Sequence, residues 1–204
     1  MACTSADGDR RYTEHNSNLS SMGGAAPSSS TRSVVSSLRV FTKNACISSS
    51  KRLAVVLSEL QSVSWHIVLF SETRASSGSV ILDGGHKLFT FLGDHRYAGV
   101  GILVHADLVA DVCRVHRVSG RVLAVDLRRG GHVFRIVSLY CPHGGYEIAD
   151  LEEVYHQLYV LLLEAQRRNL RIIVGGDFNT VVGVGDRGIL LNDFLHTFWL
   201  GDRQ

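Results

Sequence analysis

The sequence predicts an α/β sandwich of mixed β-sheets, and three observations predict it. Short apolar, β-branched runs alternate with amphipathic helical segments from about residue 38 onward. Several strands between the first and last helices are spaced as hairpins, so the sheets cannot be purely parallel. Four strands each end in a polar side chain, at the carboxyl end where α/β folds usually keep their chemistry.

Residues 1–37 are rich in Ser, Gly and Ala and nearly empty of large apolar residues. Such a segment cannot bury enough surface to offset its ordering entropy, so a disordered tail is expected there and a folded domain over residues 38–204. Asp7, Asp9 and Glu14, with no hydrophobic core beside them, argue against a secretory or transit leader, and an intracellular protein, nuclear or cytoplasmic, is expected.

Val40-Phe41-Thr42-Lys43-Asn44-Ala45 reads as a first strand carrying an amide at its end. Residues 51–60 place Leu53, Val56, Leu57 and Leu60 on one helical face. His66-Ile67-Val68-Leu69-Phe70-Ser71-Glu72-Thr73-Arg74 is an apolar strand closing on an acid, followed by a Ser/Gly loop at Ser76-Ser77-Gly78-Ser79. Short strands follow over residues 87–92, 99–104, 121–127 and 132–139, with Arg128-Arg129-Gly130-Gly131 as a hairpin turn. The last of these strands ends at Tyr140, and Pro142 stops its ladder. Residues 147–168 form the clearest helix, with Ile148, Leu151, Val154, Tyr155, Leu158, Leu161, Leu162 and Ala165 as one stripe and Arg167-Arg168 suiting the negative end of the dipole. Leu170-Arg171-Ile172-Ile173-Val174 is a buried strand, and the glycine pair after it reads as a sharp turn that leaves Asp177 and Asn179 at the strand mouth. A final helix carries Leu191, Phe194, Leu195 and Phe198 on one face.

At 204 residues the chain allows one domain plus a tail. A hydrophobic fraction of 45% and a mean hydropathy of +0.11 are those of a soluble globular protein. No apolar run approaches the ~20 residues of a membrane span. Cys3, Cys46, Cys113 and Cys141 show no CxxC spacing, and those beside apolar strands are expected to be buried free thiols in a reducing compartment. The ten histidines fall in no metal-ligand spacing. The net charge of +2 is not a nucleic-acid signature, although Arg114-His116-Arg117, Arg128-Arg129 and Arg167-Arg168 offer local cations for phosphates.

The ordered set Asn44, Glu72, Tyr140, Asp177 and Asn179, each at a strand end, resembles the endonuclease/exonuclease/phosphatase superfamily. That family includes abasic-site endonucleases and the endonuclease domains of non-LTR retrotransposons. The glycine-flanked strand Ala98-Gly99-Val100-Gly101-Ile102-Leu103-Val104 adds to the likeness, which covers about residues 38–200. The resemblance implies four layers, two mixed β-sheets face to face with helices outside, and phosphodiester hydrolysis with Mg²⁺ (or Mn²⁺). It implies Glu72 and Asn44 as metal-holding residues, and Asp177 as the group that aligns and deprotonates water. Asn179 and Tyr140 would be phosphate-holding groups, with Arg74 either supporting the Glu72 loop or touching substrate.

The family's Ser-Asp-His element is missing before Gln204, and His196 lies on the final helix without a preceding Ser-Asp. A copy incomplete at the C-terminus, from a retrotransposon-derived reading frame, is therefore expected. DNA is the expected partner. A phosphatase or phosphodiesterase of inositol lipids or nucleotides, and a catalytically silent binding module, are the alternatives.

Overall fold

In the computed structural model of the chain, residues 37–93 and 98–199 are described. The tail expected over residues 1–37 lies outside them except for Ser37.

The elements run β1 (Val40–Asn44), α1 (Ser50–Leu60), β2 (Ile67–Ser71), β3 (Gly78–Ile81), β4 (Lys87–Phe91), β5 (Val100–Val104), α2 (Ala106–Val109), β6 (Val112–Ser119), β7 (Val122–Arg129), β8 (His132–Tyr140), α3 (Ile148–Arg167), β9 (Arg171–Asp177) and α4 (Gly185–Trp199). One sheet has the order β1-β2-β5-β4-β3 and the other β6-β7-β8-β9. Two pairs are parallel, β1 with β2 and β8 with β9, and each is joined through a helix, α1 or α3, as a parallel crossover requires. The remaining pairs are antiparallel, so both sheets are mixed.

Side-chain alternation builds the layers. Ile67 and Leu69 of β2 meet Val100, Ile102 and Val104 of β5, Leu123, Val125 and Leu127 of β7, and Ile136 of β8, all buried between the sheets. The opposite faces of β2 and β5 send Val68, Phe70 and Leu103 onto Val56 and Leu60 of α1. Val122, Ala124, Val137 and Leu139 face α3 and α4 through Leu151, Leu158, Leu162, Leu191 and Phe198. The result is helix, sheet, sheet, helices, the four layers the sequence implied. Each fully buried Leu, Ile or Phe in these interfaces contributes about 1.5–3 kcal/mol.

The α3 stripe is buried as expected except for Ile148, 40% exposed in the first turn. Below α3 lies an ion pair with both partners at zero exposure: Arg135 Nε and Nη2 donate to Asp126 Oδ1 and Oδ2 at 2.7 and 2.9 Å. The guanidinium is completed by the Leu161 carbonyl at 2.8 Å and Glu164 at 3.0 Å. Burial pushes the Asp126 carboxyl up, but Arg135 and His116 outweigh that and hold it well below the usual carboxylate range.

Several expectations are corrected. The segment read as a Ser/Gly loop runs into β3, a short edge strand starting at Gly78. The glycine pair is not a turn: Gly175 and Gly176 lie within β9, opposite Ser138 and Leu139. A Cβ on Gly175 would stand 2.8 Å from Leu69 Cδ1, and one on Gly176 only 1.9 Å from the Leu139 carbonyl oxygen. Close approach, not chain reversal, demands these residues. Cys113 is exposed, because β6 is an edge strand; Cys46 is half-buried and Cys141 buried. Within the arginine clusters, Arg114 and Arg168 pair with Glu164, and Arg129 pairs with Asp111 at 2.8 Å. The Gly130-Gly131 turn forms as predicted, both residues at positive φ.

Candidate active site

The parallel pairings carry Asn44, Tyr140 and Asp177 to one rim. Asn44 ends β1 in register with Ser71, and Tyr140 ends β8 in register with Asp177. Within each strand the same alternation that sends Val40, Ile136 and Ile173 into the space between the sheets gives Asn44, Tyr140 and Asp177 that orientation. Glu72 breaks the pattern. Two-residue alternation from Ile67 and Leu69 would give the inter-sheet position to Ser71, and Glu72 would turn away. Its backbone is left-handed, φ 54°, as is that of Arg74, φ 51°. Such conformations cost about 1–3 kcal/mol each and persist where surrounding contacts fix them. Here the fixing contacts are the Thr73 N–H on the Gly99 carbonyl at 3.1 Å and the Ile47 N–H on the Thr73 carbonyl at 3.0 Å.

The rim groups meet through one amide. Asn44 Nδ2 donates to Glu72 Oε1 at 2.9 Å and to Asp177 Oδ2 at 3.3 Å. Tyr140, only 5% exposed, hydrogen-bonds Glu72; burial and then that carboxylate push its phenol up to about 12. At neutral pH the phenol therefore keeps its proton and acts as a donor. Arg74 Nη2 stands 3.7 Å from Glu72 Oε2. Asp177 Oδ1 accepts from the Asn179 N–H at 3.0 Å, and its carbonyl accepts from Cys141 N–H at 2.8 Å. Asn179, also left-handed at φ 50°, donates from Nδ2 to the Cys141 carbonyl at 2.8 Å. Asn44 is exposed, and Glu72, Asp177 and Asn179 are half-buried, so the rim opens to solvent.

All five residues singled out in the sequence thus come together. His196 does not: it is exposed in the last turn of α4. One neighbour escaped the sequence reading. Arg121, just ahead of β7, packs its guanidinium 5.1 Å from the Tyr140 ring centroid and 4.9 Å from that of Tyr146. A lone arginine in a hairpin turn carries no signal of its own in the sequence.

A divalent ion fits the donor set. No cluster of three or more His, Cys, Asp or Glu able to hold a metal occurs among the described residues. A hard cation that keeps most of its water needs only one or two carboxylates, and two carboxylates converge here on a single amide. Asn44 donates its nitrogen to both acids, so its carbonyl oxygen becomes a ligand only if the amide turns.

Residues 45–203 match the Endonuclease/Exonuclease/phosphatase family. The chain belongs to this family. No curated protein matches it. Among solved structures, the endonuclease domain of TRAS1, a telomere-specific non-LTR retrotransposon, superposes with a TM-score of 0.56 at 20% identity, over 79% of this chain and 72% of that one. The AP endonuclease LMAP from Leishmania major gives 0.56 at 12%, over 77% and 65%. The 3′ phosphatase NExo from Neisseria, bound to a product DNA hairpin, gives 0.50 at 16%, over 74% and 61%. At these identities the likeness shows the shared fold, and the chain spans less than two thirds of the latter two proteins.

Proposed function

We propose that this member of the family is a metal-dependent phosphodiester hydrolase that cuts DNA, in the manner of retrotransposon-type endonucleases. The observation that carries the reading is the Asn44 amide joining Glu72 and Asp177, with the Tyr140 phenol on Glu72, at an open rim. The openness suits a polymeric substrate. The DNA assignment draws support from the TRAS1, LMAP and NExo descriptions, all of which concern nucleic-acid enzymes.

In this mechanism Asp177 takes a proton from the attacking water at a carboxylate oxygen, and the Asn179 N–H on Asp177 Oδ1 fixes that carboxylate's orientation. Asn179 holds a non-bridging phosphate oxygen through the second hydrogen of its Nδ2, and Tyr140, which remains protonated, donates to another once its hydroxyl hydrogen turns from Glu72 to the phosphate. Glu72, with Asn44, would hold Mg²⁺ or Mn²⁺, which supplies Lewis-acid neutralisation of the charge that builds on phosphate. Arg74 steadies the Glu72 loop.

The test is nicking of supercoiled plasmid with magnesium, alongside EDTA, Glu72→Gln and Asp177→Asn, with circular dichroism on each sample. Loss of nicking in EDTA and a drop of about 10²–10⁴ in both variants is expected. Undiminished nicking by both variants, or none from a folded native chain, refutes the proposal.

A further inference from the structure

We infer that Arg121 is a positioning residue for Tyr140: packed between the rings of Tyr140 and Tyr146, it holds the phenol in the orientation in which it meets Glu72. The inference rests on the reading that Tyr140 serves the phosphate chemistry.

Three contacts tie Arg121 to Tyr140. The Tyr140 N–H donates to the Arg121 carbonyl at 2.9 Å, Arg121 Nη1 donates to the Tyr140 carbonyl at 3.4 Å, and the guanidinium covers the ring at 5.1 Å. The first two fix backbones; only the third restrains the ring. A planar, weakly hydrated guanidinium stacks on two aromatic faces at once, which an ammonium does not.

The outer face of the stack is itself anchored. Tyr146 belongs to the turn between β8 and α3, and Arg187 of α4 donates to the Pro142 carbonyl at 2.8 Å and also to the Tyr146 carbonyl. A continuous line therefore runs from α4 through this turn to Tyr146, Arg121, Tyr140 and Glu72. The cation also acts on the phenol electrostatically, opposing the upward push of burial and of Glu72. Arg121 and Tyr146 together line an open cleft of about 220 Å³ with Ser119, Asp150 and Gln157, so removing the Arg121 side chain leaves a space that a small cation can reach.

The experiment uses the full chain with ¹³C-labelled tyrosine, the Tyr140 signal being assigned with Tyr140→Phe. In the substrate-free native chain the two Tyr140 ring-edge signals are expected to be distinct. They are expected to merge through faster ring flipping in Arg121→Met, in Arg121→Lys and in Tyr146→Leu; the last covers the case in which the Arg121 variants do not fold. In nicking, Arg121→Met is expected to lower kcat about 100-fold with KM nearly unchanged, the effect of a small misplacement. In Arg121→Ala, millimolar methylguanidinium, and not methylammonium, is expected to restore the separated signals. Unchanged Tyr140 signals in Arg121→Met and Tyr146→Leu overturn the inference. So does a native-like Arg121→Lys, or a rise in KM with kcat intact, which would mark a direct phosphate contact. The spectra need no turnover, so a chain that cuts nothing refutes the proposed function while they still decide this one.

Discussion

Gly176→Ala is the sharpest test of how β9 is placed. The new methyl carbon would stand 1.9 Å from the Leu139 carbonyl oxygen, with the Leu139 carbonyl carbon and nitrogen at 2.8 Å. Real contacts of this kind are no closer than about 3 Å, so β8 and β9 must separate by about 1 Å where they are hydrogen-bonded. None of these atoms can rotate away, because all belong to backbone. Overpacking of this kind costs about 1–3 kcal/mol, and each ladder hydrogen bond lost adds about 1 kcal/mol. The positive φ of 143° at Gly176 adds a further penalty of about 1 kcal/mol. The sum, about 3–5 kcal/mol, is a large share of a stability of about 5–15 kcal/mol. Gly175→Ala meets only the side-chain tips of Leu69 and Thr42, at 2.8 and 2.9 Å, and should cost about 1–2 kcal/mol. Gly183→Ala, at φ 73° in open space, should cost about 1 kcal/mol. Urea unfolding followed by circular dichroism measures all three. If Gly176→Ala falls within 0.5 kcal/mol (roughly the additivity error between sites) of Gly183→Ala, close packing is not why glycine is there.

Four further outcomes follow from buried and half-buried polar groups. Arg135→Met removes the bidentate partner of the buried Asp126 carboxylate, leaving it only His116 and Arg168, and should cost about 3–5 kcal/mol, while the double variant with Asp126→Leu should recover most of that in urea titrations. Because the folded-state pKa of Asp126 is lowered, its contribution is fully present above the ordinary carboxylate pKa and is lost as pH falls from there toward the lowered folded-state value, so Asp126→Asn should flatten the acid limb of stability. Thr73 Oγ1 is buried without a hydrogen-bond partner, so Thr73→Val should leave stability unchanged or raise it by about 1 kcal/mol; a loss above that would reveal an unseen partner. His86 and His105 pack on Trp65 at 4.9 and 5.0 Å, and His86 Nδ1 accepts from the Ala106 N–H at 3.0 Å. Burial, then His105, lowers the His86 pKa, so its neutral form stabilises the fold above pH about 6.5 and that contribution is lost below it. With Trp199→Phe as background, Trp65 fluorescence should change with a midpoint below about 6.5, and a flat profile would contradict this.

What the sequence made legible was whatever depends on neighbours along the chain. The α3 stripe, the Gly130-Gly131 hairpin and the polar ends of β1, β2, β8 and β9 follow from short-range periodicity and turn chemistry. What stayed hidden depends on residues far apart. β6 carries Arg114, His116 and Arg117 and reads as a local group of cations, yet Arg114 meets Glu164 fifty residues away and His116 meets Asp126 at 3.0 Å. β3 has four residues on an exposed edge, too few to show a period. The glycines of β9 look like a turn until Leu139, Leu69 and Thr42 stand beside them. Arg121 has meaning only once Tyr140 and Tyr146 flank it.

The candidate site joins two kinds of residue, and the distinction predicts how each responds to change. Asn44, Tyr140 and Asp177 are set by strand register, and a one-residue slip would turn each of them, together with the apolar face of its strand, to the wrong side. Their placement is therefore as secure as the core that Val40, Ile136 and Ile173 help to fill. Glu72 is set by a left-handed backbone that the register does not impose, held by the two main-chain hydrogen bonds of Thr73. Loss of those bonds would let Glu72 follow the strand's alternation and turn away from Asn44. The acid proposed to hold the metal is thus a rim group that can leave without unfolding the sandwich, unlike the three set by register. Its loop can be displaced while Asn44, Tyr140 and Asp177 stay in place.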